Sequence, residues 1–111
     1  MPKLARRTWK LLFVSFPMLL LLAVPLPAQD GAALFKSKCA SCHGPSGKGD
    51  TPVGKALKLR DLGSEDVQKQ SDPELTEITA NGKGKMPAYK DKLTGEQIQQ
   101  LVAFMRTLKK K

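Results

Sequence analysis

Two cysteines and a histidine lie together in the segment Cys39-Ala40-Ser41-Cys42-His43. Two thiols three residues apart on one helical turn can each add to one of the two vinyl groups of a haem. The histidine that follows then lies beneath the iron, where an imidazole nitrogen can serve as an axial ligand. The pentapeptide therefore predicts one covalent haem c, attached through Cys39 and Cys42 and ligated by His43.

Other uses of a Cys-x-x-Cys pair fit the rest of the chain less well. A redox pair of the thioredoxin type needs a strand before it and a βαβ frame, and no strand pattern is present. A structural zinc site needs four ligands, whereas the chain has two cysteines and one histidine. A disulfide between Cys39 and Cys42 stays open for an exported protein, but it would not explain the adjacent histidine.

The other axial ligand of the iron must come from a scarce residue type. Past the apolar N-terminal segment, the side chains that remain for this role are two methionines, Met86 and Met105. Met105 falls on the apolar stripe of the last predicted helix and is interpreted as core. Met86 lies in a glycine-rich loop stiffened by Pro87, and a thioether is a soft ligand that raises the potential of haem iron. We predict Met86 as the second axial ligand; the alternative is that it only packs within its loop.

The N-terminal 28 residues predict a secretory signal peptide, which leaves a cytochrome-sized domain over residues 29–111. Basic residues precede an uncharged apolar run over residues 11–24, and Ala28 is a small residue suited to cleavage. The run is shorter than the roughly 20 apolar residues that a membrane span needs. A cut after Ala23 and an uncleaved N-terminal anchor are the alternatives.

The composition leaves room for one small domain with a thin side-chain core. A chain of 111 residues excludes a two-domain enzyme, a (β/α)8 barrel and a dinucleotide-binding doubly wound sheet. Beyond the leader the only aromatic residues are Phe35, Tyr89 and Phe104. A domain of this size usually needs a disulfide, a metal or a cofactor for stability. We therefore expect a cofactor at its centre.

The apolar pattern predicts an all-α fold of three to four short helices joined by long ordered loops. Residues spaced by three and four are apolar in each helical segment, and glycine- and proline-rich stretches separate the segments. No stretch alternates as a strand would. The first predicted helix covers about residues 31–42, and a short helical turn follows Ser64. Another helix has Asp72 as its N-cap and stops at Asn81-Gly82. The last helix begins with a capping box formed by Thr94 and Gln97.

The chain resembles the small bacterial class I cytochromes c over residues 31–108. Members of that family carry a glycine, an aromatic residue and the first haem cysteine at intervals of four, as Gly31, Phe35 and Cys39 do here. Their last helix packs a leucine and an aromatic residue against the first helix. Leu101 and Phe104 hold the matching positions.

Two loops carry the rest of the resemblance. The methionine loop of the small members reads Met-Pro-Ala-aromatic, which Met86-Pro87-Ala88-Tyr89 matches. A proline carbonyl after the haem motif accepts the proton of the ligand histidine in the family, and Pro52 is the residue that fits this role. The resemblance implies a class I cytochrome c fold wrapped around one covalent haem c.

The resemblance implies a soluble one-electron carrier between respiratory or photosynthetic partners, and not an enzyme, because both axial positions of the iron are filled. The alternatives are a haem-based gas or redox sensor with a displaceable methionine, and a dedicated electron-transfer subunit of one dehydrogenase or oxidase. A sensor usually needs an output domain, and a subunit would expose an apolar patch or a tail.

Lysines cluster in the loops that should border the haem, and this positive charge predicts docking onto acidic surfaces of larger redox complexes. The alternative is that the lysines only keep an exported protein soluble. We expect a monomer in the bacterial periplasm or a thylakoid-lumen-like compartment, with no nucleic acid partner and no stable membrane insertion after cleavage. The lysines expected to border the haem are Lys48, Lys55, Lys83, Lys85, Lys90 and Lys92.

Overall fold

A computed structural model describes residues 30–111, and the predicted leader and its cleavage site lie outside these residues. Within residues 30–111 the regular structure is helical, apart from one isolated β-bridge between Lys83 and Met86. The prediction of an all-α fold is confirmed. The helices are α1 (Gly31–Lys38), α2 (Ala40–His43), α3 (Pro52–Ala56), α4 (Glu65–Gln68), α5 (Asp72–Asn81) and α6 (Gly95–Thr107).

The helix predicted over 31–42 is two helices, because the backbone changes course at Cys39. This residue has φ −119° and ψ −32°, and it serves both as the C-cap of α1 and as the N-cap of α2. Its carbonyl accepts from the N–H of Cys42 and from that of His43, at 3.2 and 3.0 Å. The apolar spacing runs through the break, so periodicity alone does not reveal it.

The helix starts depend on capping side chains. Thr94 and Gln97 form the predicted capping box at the start of α6, with hydrogen bonds of 2.9 and 3.1 Å. The N-cap of α5 is Ser71 and not Asp72, since the Ser71 hydroxyl accepts from the Glu74 N–H and the Glu74 carboxylate accepts from the Ser71 N–H. The prediction for α5 was thus one residue late, although the helix ends at Asn81 as expected.

The core forms where α1 crosses α6. A Cβ on Gly31 would collide with the carbonyl of Gln100, so only glycine allows the two backbones to approach this closely. Four residues along, the rings of Phe35 and Phe104 pack 5.0 Å apart, centroid to centroid. Leu101 is 2% exposed at the same crossing. The helix pair predicted from the resemblance is confirmed.

The polypeptide between α4 and α5 is tied to the end of α6 by Arg106. Its guanidinium donates to the carbonyls of Gln68 and Gln70, at 2.7 and 2.5 Å, and to the carboxylate of Asp72 at 2.8 Å. The Gln68 amide in turn donates to the carbonyl of Met105 at 3.0 Å. These bonds fix a wall of the cavity described next.

Candidate functional site

A cavity of about 760 Å³ lies at the centre of the domain, within the usual size range for small-molecule and cofactor sites. The side chains expected to hold a cofactor lie on two segments far apart in sequence, yet all of them line this one cavity: Cys39, Cys42, His43 and Met86. Met105 lines it as well. The remaining wall is largely apolar and includes Phe35, Leu62, Val67, Leu75, Ile78 and Leu101.

The segment that carries the thiols and the imidazole is held by the loop that follows it. The Thr51 hydroxyl donates to the carbonyl of Cys42 at 2.7 Å and accepts from the N–H of Gly54 at 2.9 Å. The Gly49 N–H donates to the carbonyl of His43 at 2.7 Å. A Cβ on Gly54 would come within 2.6 Å of the Cys42 carbonyl oxygen, so α3 packs directly against the haem motif. Helix α3 was not predicted; the Thr51-Pro52 pair, an N-cap followed by proline, is the signal that marks it.

Burial sets the protonation of the groups at the site. Burial raises the pKa of the Cys39 thiol to about 11, so the free side chain is a neutral thiol at pH 7. Burial also lowers the pKa of His43 from its ordinary value, which keeps the imidazole neutral. A neutral imidazole is the form that ligates a metal.

The Pro52 carbonyl does not accept a proton from His43 in this structure. The Nδ1 atom of His43 is buried and has no hydrogen-bond partner. Pro52 is the first residue of α3, and carbonyls in a first helical turn point along the axis towards the N–H groups four residues on. In a neutral imidazole one ring nitrogen carries the proton, so a metal at Nε2 would leave Nδ1 as the N–H donor.

The loop that carries Met86 contains two glycines with positive φ, Gly82 at +75° just before a tight turn and Gly84 at +57° within it. Lys83 and Met86 exchange backbone hydrogen bonds of 3.2 and 2.9 Å across this turn. A Cβ on Gly82 would collide with the Met86 carbonyl oxygen. Glycine thus lets the chain fold back and present the thioether to the cavity.

Tyr89 lies at the end of the same loop. No role was predicted for it beyond the aromatic position of the Met-Pro-Ala-aromatic motif. Its hydroxyl donates to the carbonyl of Lys38 at 3.0 Å. Burial raises the pKa of Tyr89 from its ordinary value, with a smaller contribution from negative charge on Cys39 and Cys42. The phenol therefore remains a protonated donor at neutral pH.

The structure divides the six predicted docking lysines. All six are exposed, but only Lys83 and Lys85 line the cavity. Lys48, Lys55, Lys90 and Lys92 do not border it. The lining instead includes three basic residues that the sequence did not single out, Lys38, Lys58 and Arg60. Lys38 lies at the end of α1, and Lys58 and Arg60 lie in the loop after α3. No sequence motif marks these positions as lining a cavity.

The cavity suits a covalently attached haem in its reactive groups, its walls and its charge. It brings together two thiols, an imidazole with an orphaned Nδ1, a thioether and an apolar surround. Its five charged lining residues, all from the described part of the chain, are basic and none is acidic. Haem carries two negative carboxylates on one edge, so cationic side chains at the rim are complementary to it in charge.

Nothing in residues 30–111 gathers three or more histidine, cysteine or acidic side chains into a metal site. Within the same residues no helix is both long enough and apolar enough to cross a bilayer. The site therefore consists of the cavity and the side chains that line it.

Comparison with known proteins finds consistent relatives. Residues 26–105 match the protein family described as cytochrome c oxidase, cbb3-type, subunit III. The chain is 36% identical over 83 residues to cytochrome c6 of Nostoc, covering 75% of this chain and 72% of the relative. It is 38% identical over 82 residues to cytochrome c6 of Bryopsis maxima, covering 69% and 86%.

A solved structure has a similar fold. The c-type cytochrome KustC0563 superposes with a TM-score of 0.68 at 35% sequence identity, covering 73% of this chain and 99% of that one. The cavity described above thus lies in a fold that is shared with a c-type cytochrome.

Proposed function

This chain belongs to the class I c-type cytochromes, and we propose on that premise that it is a one-electron carrier whose iron is ligated by His43 and Met86. Proteins of this family hold haem c covalently and transfer electrons; they are not enzymes. The predictions of a covalent haem c and of an electron carrier are therefore confirmed. The identity of the two iron ligands, His43 and Met86, is the more specific part of the proposal.

One observation carries the assignment. His43 and Met86 lie on different elements, 43 positions apart in a chain of this length, and both line the cavity that also receives Cys39 and Cys42. The cofactor supplies the change of iron oxidation state when it is bound. The chain's own residues would hold it, with Cys39 and Cys42 for attachment and His43 and Met86 as ligands of the iron, and the apolar wall would exclude water.

The ligand assignment is tested by comparing two methionines that line the same cavity. In ferric holoprotein, Met86→Leu should abolish the weak sulfur-to-iron absorption band and lower the midpoint potential, because thioether ligation raises it. Met105→Leu removes the other thioether and should leave the band in place. A band that survives Met86→Leu, or that disappears in Met105→Leu, would contradict the assignment.

The choice between carrier and sensor depends on whether the iron is closed. A carrier with both axial positions filled should bind carbon monoxide weakly in its ferrous state, since Met86 must leave first. Rapid binding in the parent protein, matching that of Met86→Leu, would favour the sensor. The role of a dedicated subunit is the other alternative, and the matched family description names an oxidase subunit.

The docking surface of the proposal is narrower than the six lysines first expected. Lys83 and Lys85, with Lys38, Lys58 and Arg60, place positive charge at the rim of the cavity, where an electron would leave. A positive rim favours acidic surfaces of larger redox complexes and steers their encounter. The other four lysines contribute to the overall field only.

The proposed location is a periplasm or a thylakoid-lumen-like compartment, reached after removal of residues 1–28. Haem attachment to Cys39 and Cys42 would follow export of the unfolded chain. The intact mass of the exported protein tests both steps, since it should equal residues 29–111 plus one haem. A mass that includes residues 1–28 would favour the uncleaved anchor.

A further inference from the structure

The phenol of Tyr89 reaches from the methionine loop to the end of α1. Its hydroxyl donates to the carbonyl of Lys38 at 3.0 Å, across 51 positions of sequence. This carbonyl is available because the helix breaks at the next residue. In a continuous helix the N–H of Cys42 would bond to Lys38, but here it donates to Cys39. The Tyr89 hydroxyl thus pairs with a carbonyl that lies directly before the first haem cysteine.

The backbone of Tyr89 is tied to a third element. Its N–H donates to the carbonyls of Thr79 and Ala80 in the last turn of α5, at 3.2 and 3.1 Å. The ammonium of Lys92 lies 5.4 Å from the centre of its ring. Tyr89 therefore joins α5, α1 and the loop that presents Met86 three residues earlier.

We propose that Tyr89 is a positioning residue for Met86. The Tyr89 hydroxyl binds the methionine loop to the segment that carries the covalent attachment, and it thereby opposes departure of the Met86 thioether from the iron. The inference rests on the proposed function, because it requires Met86 to be a ligand. On the near side of Met86 the turn is closed only by the two backbone hydrogen bonds between Lys83 and Met86. On its far side the chain is held by Tyr89, through its hydroxyl and its N–H, and by the Lys90 N–H, which donates to the carbonyl of Ala80 at 3.0 Å.

The test measures how readily imidazole replaces Met86 in ferric holoprotein at pH 7. Tyr89→Phe keeps the ring and removes only the donor. We expect it to raise the apparent affinity for imidazole by about 2- to 10-fold, which is the effect of one neutral hydrogen bond. The limiting rate at saturating imidazole reports departure of the thioether and should rise by a similar factor.

The matched control is Ser37→Ala, which also removes a hydroxyl that donates to an α1 carbonyl, that of Leu34 at 3.1 Å. It does not contact the methionine loop, so imidazole binding should match that of the parent. A merely structural tyrosine would change the free energy of unfolding and leave the limiting rate unchanged.

The outcomes separate the two levels of inference. A parent protein without the sulfur-to-iron band would overturn ligation by Met86, and this inference with it. A parent that has the band, together with a Tyr89→Phe variant that binds imidazole as Ser37→Ala does, would overturn the role of Tyr89 alone. Faster and tighter imidazole binding in Tyr89→Phe only would support it.

Discussion

The rings of Phe35 and Phe104 lie 5.0 Å apart and are inclined by 45°, where the first and last helices cross. Phe35 also lines the haem cavity, with its ring centroid 6.4 Å from that of His43. One aromatic side chain thus connects the crossing of α1 and α6 to His43. We therefore expect the stability of the crossing and the orientation of the His43 ring to be coupled through Phe35.

The crossing should not accept a side chain at Gly31. A Cβ at Gly31 would meet the backbone of Gln100, so Gly31→Ala should destabilise the holoprotein by about 1 to 3 kcal/mol through overpacking. Denaturant unfolding measures the loss. Gly95→Ala is the control, since a Cβ there meets nothing within 4 Å and alanine is the better helix former. Equal stability of the two variants would contradict the close approach of the helices.

Removal of the Phe104 ring should cost more than the glycine change. Phe104→Ala should lose about 3 kcal/mol, at the lower end for a phenylalanine because the ring is partly exposed. The same unfolding experiment measures it. Because Phe35 would lose its partner, the Soret spectrum should also change slightly, whereas Gly95→Ala should leave it unaltered.

Features set by neighbouring residues could be read from the sequence. The segment with the two thiols and the imidazole is contiguous, so the sequence alone suffices to propose it. The Thr94 and Gln97 capping box acts within one turn and was predicted to the residue. The break at Cys39 could not be predicted, because the apolar spacing continues through it. The contact of Tyr89 with Lys38 could not be predicted either, since a backbone carbonyl acceptor leaves no signature in residue type.

We expect the chain to depend on its cofactor for folding, because of the cavity at its centre. About 760 Å³ of space lies inside a domain with few aromatic residues, so the apoprotein lacks the contacts that fill a normal core. Cys39→Ala combined with Cys42→Ala should leave a largely unfolded chain at 25 °C by circular dichroism. A cooperative thermal transition of a helical double variant would contradict this dependence.

Thr51 should stabilise the haem motif through its hydroxyl. Thr51→Val keeps the shape but leaves the Cys42 carbonyl and the Gly54 N–H without their partner, at a cost of about 1 to 2 kcal/mol. Unfolding of the holoprotein measures the change. Thr107→Val is the control, because the Thr107 hydroxyl bonds only within the exposed last turn of α6. A Thr107→Val variant that loses as much would show that the bridge to Cys42 has no special role.

Electron transfer to an acidic partner should slow as salt rises, because attraction between exposed charges is screened beyond about 8 to 10 Å at moderate ionic strength. Lys83→Glu with Lys85→Glu should lower the rate at low salt and flatten its salt dependence. Lys109→Glu is the control, since Lys109 lies outside the cavity rim. Stopped-flow kinetics at several salt concentrations measure how the rate depends on salt in the parent, the double variant and Lys109→Glu. Identical salt dependence in all three proteins would favour the view that the lysines serve solubility only.

High pH should replace Met86 in the ferric protein and not in the ferrous one. Ferric iron prefers a harder amine to a thioether, and Lys83 and Lys85 both line the cavity on either side of the flexible Gly84. A lysine amine ordinarily holds its proton until about pH 10.4, so it cannot compete at neutral pH. Binding to iron favours deprotonation, and the midpoint should therefore lie below that value.

Absorbance at the sulfur-to-iron band, followed from pH 7 to 11, measures this exchange. Lys83→Ala with Lys85→Ala should move the midpoint to higher pH, because the two cavity-lining amines of the methionine loop are gone. Lys48→Ala with Lys55→Ala removes two exposed lysines that do not line the cavity, and it should titrate as the parent does. If the first pair also titrates as the parent does, hydroxide or another lysine enters in place of Lys83 and Lys85. The two turn lysines would then act only through their charge at the rim.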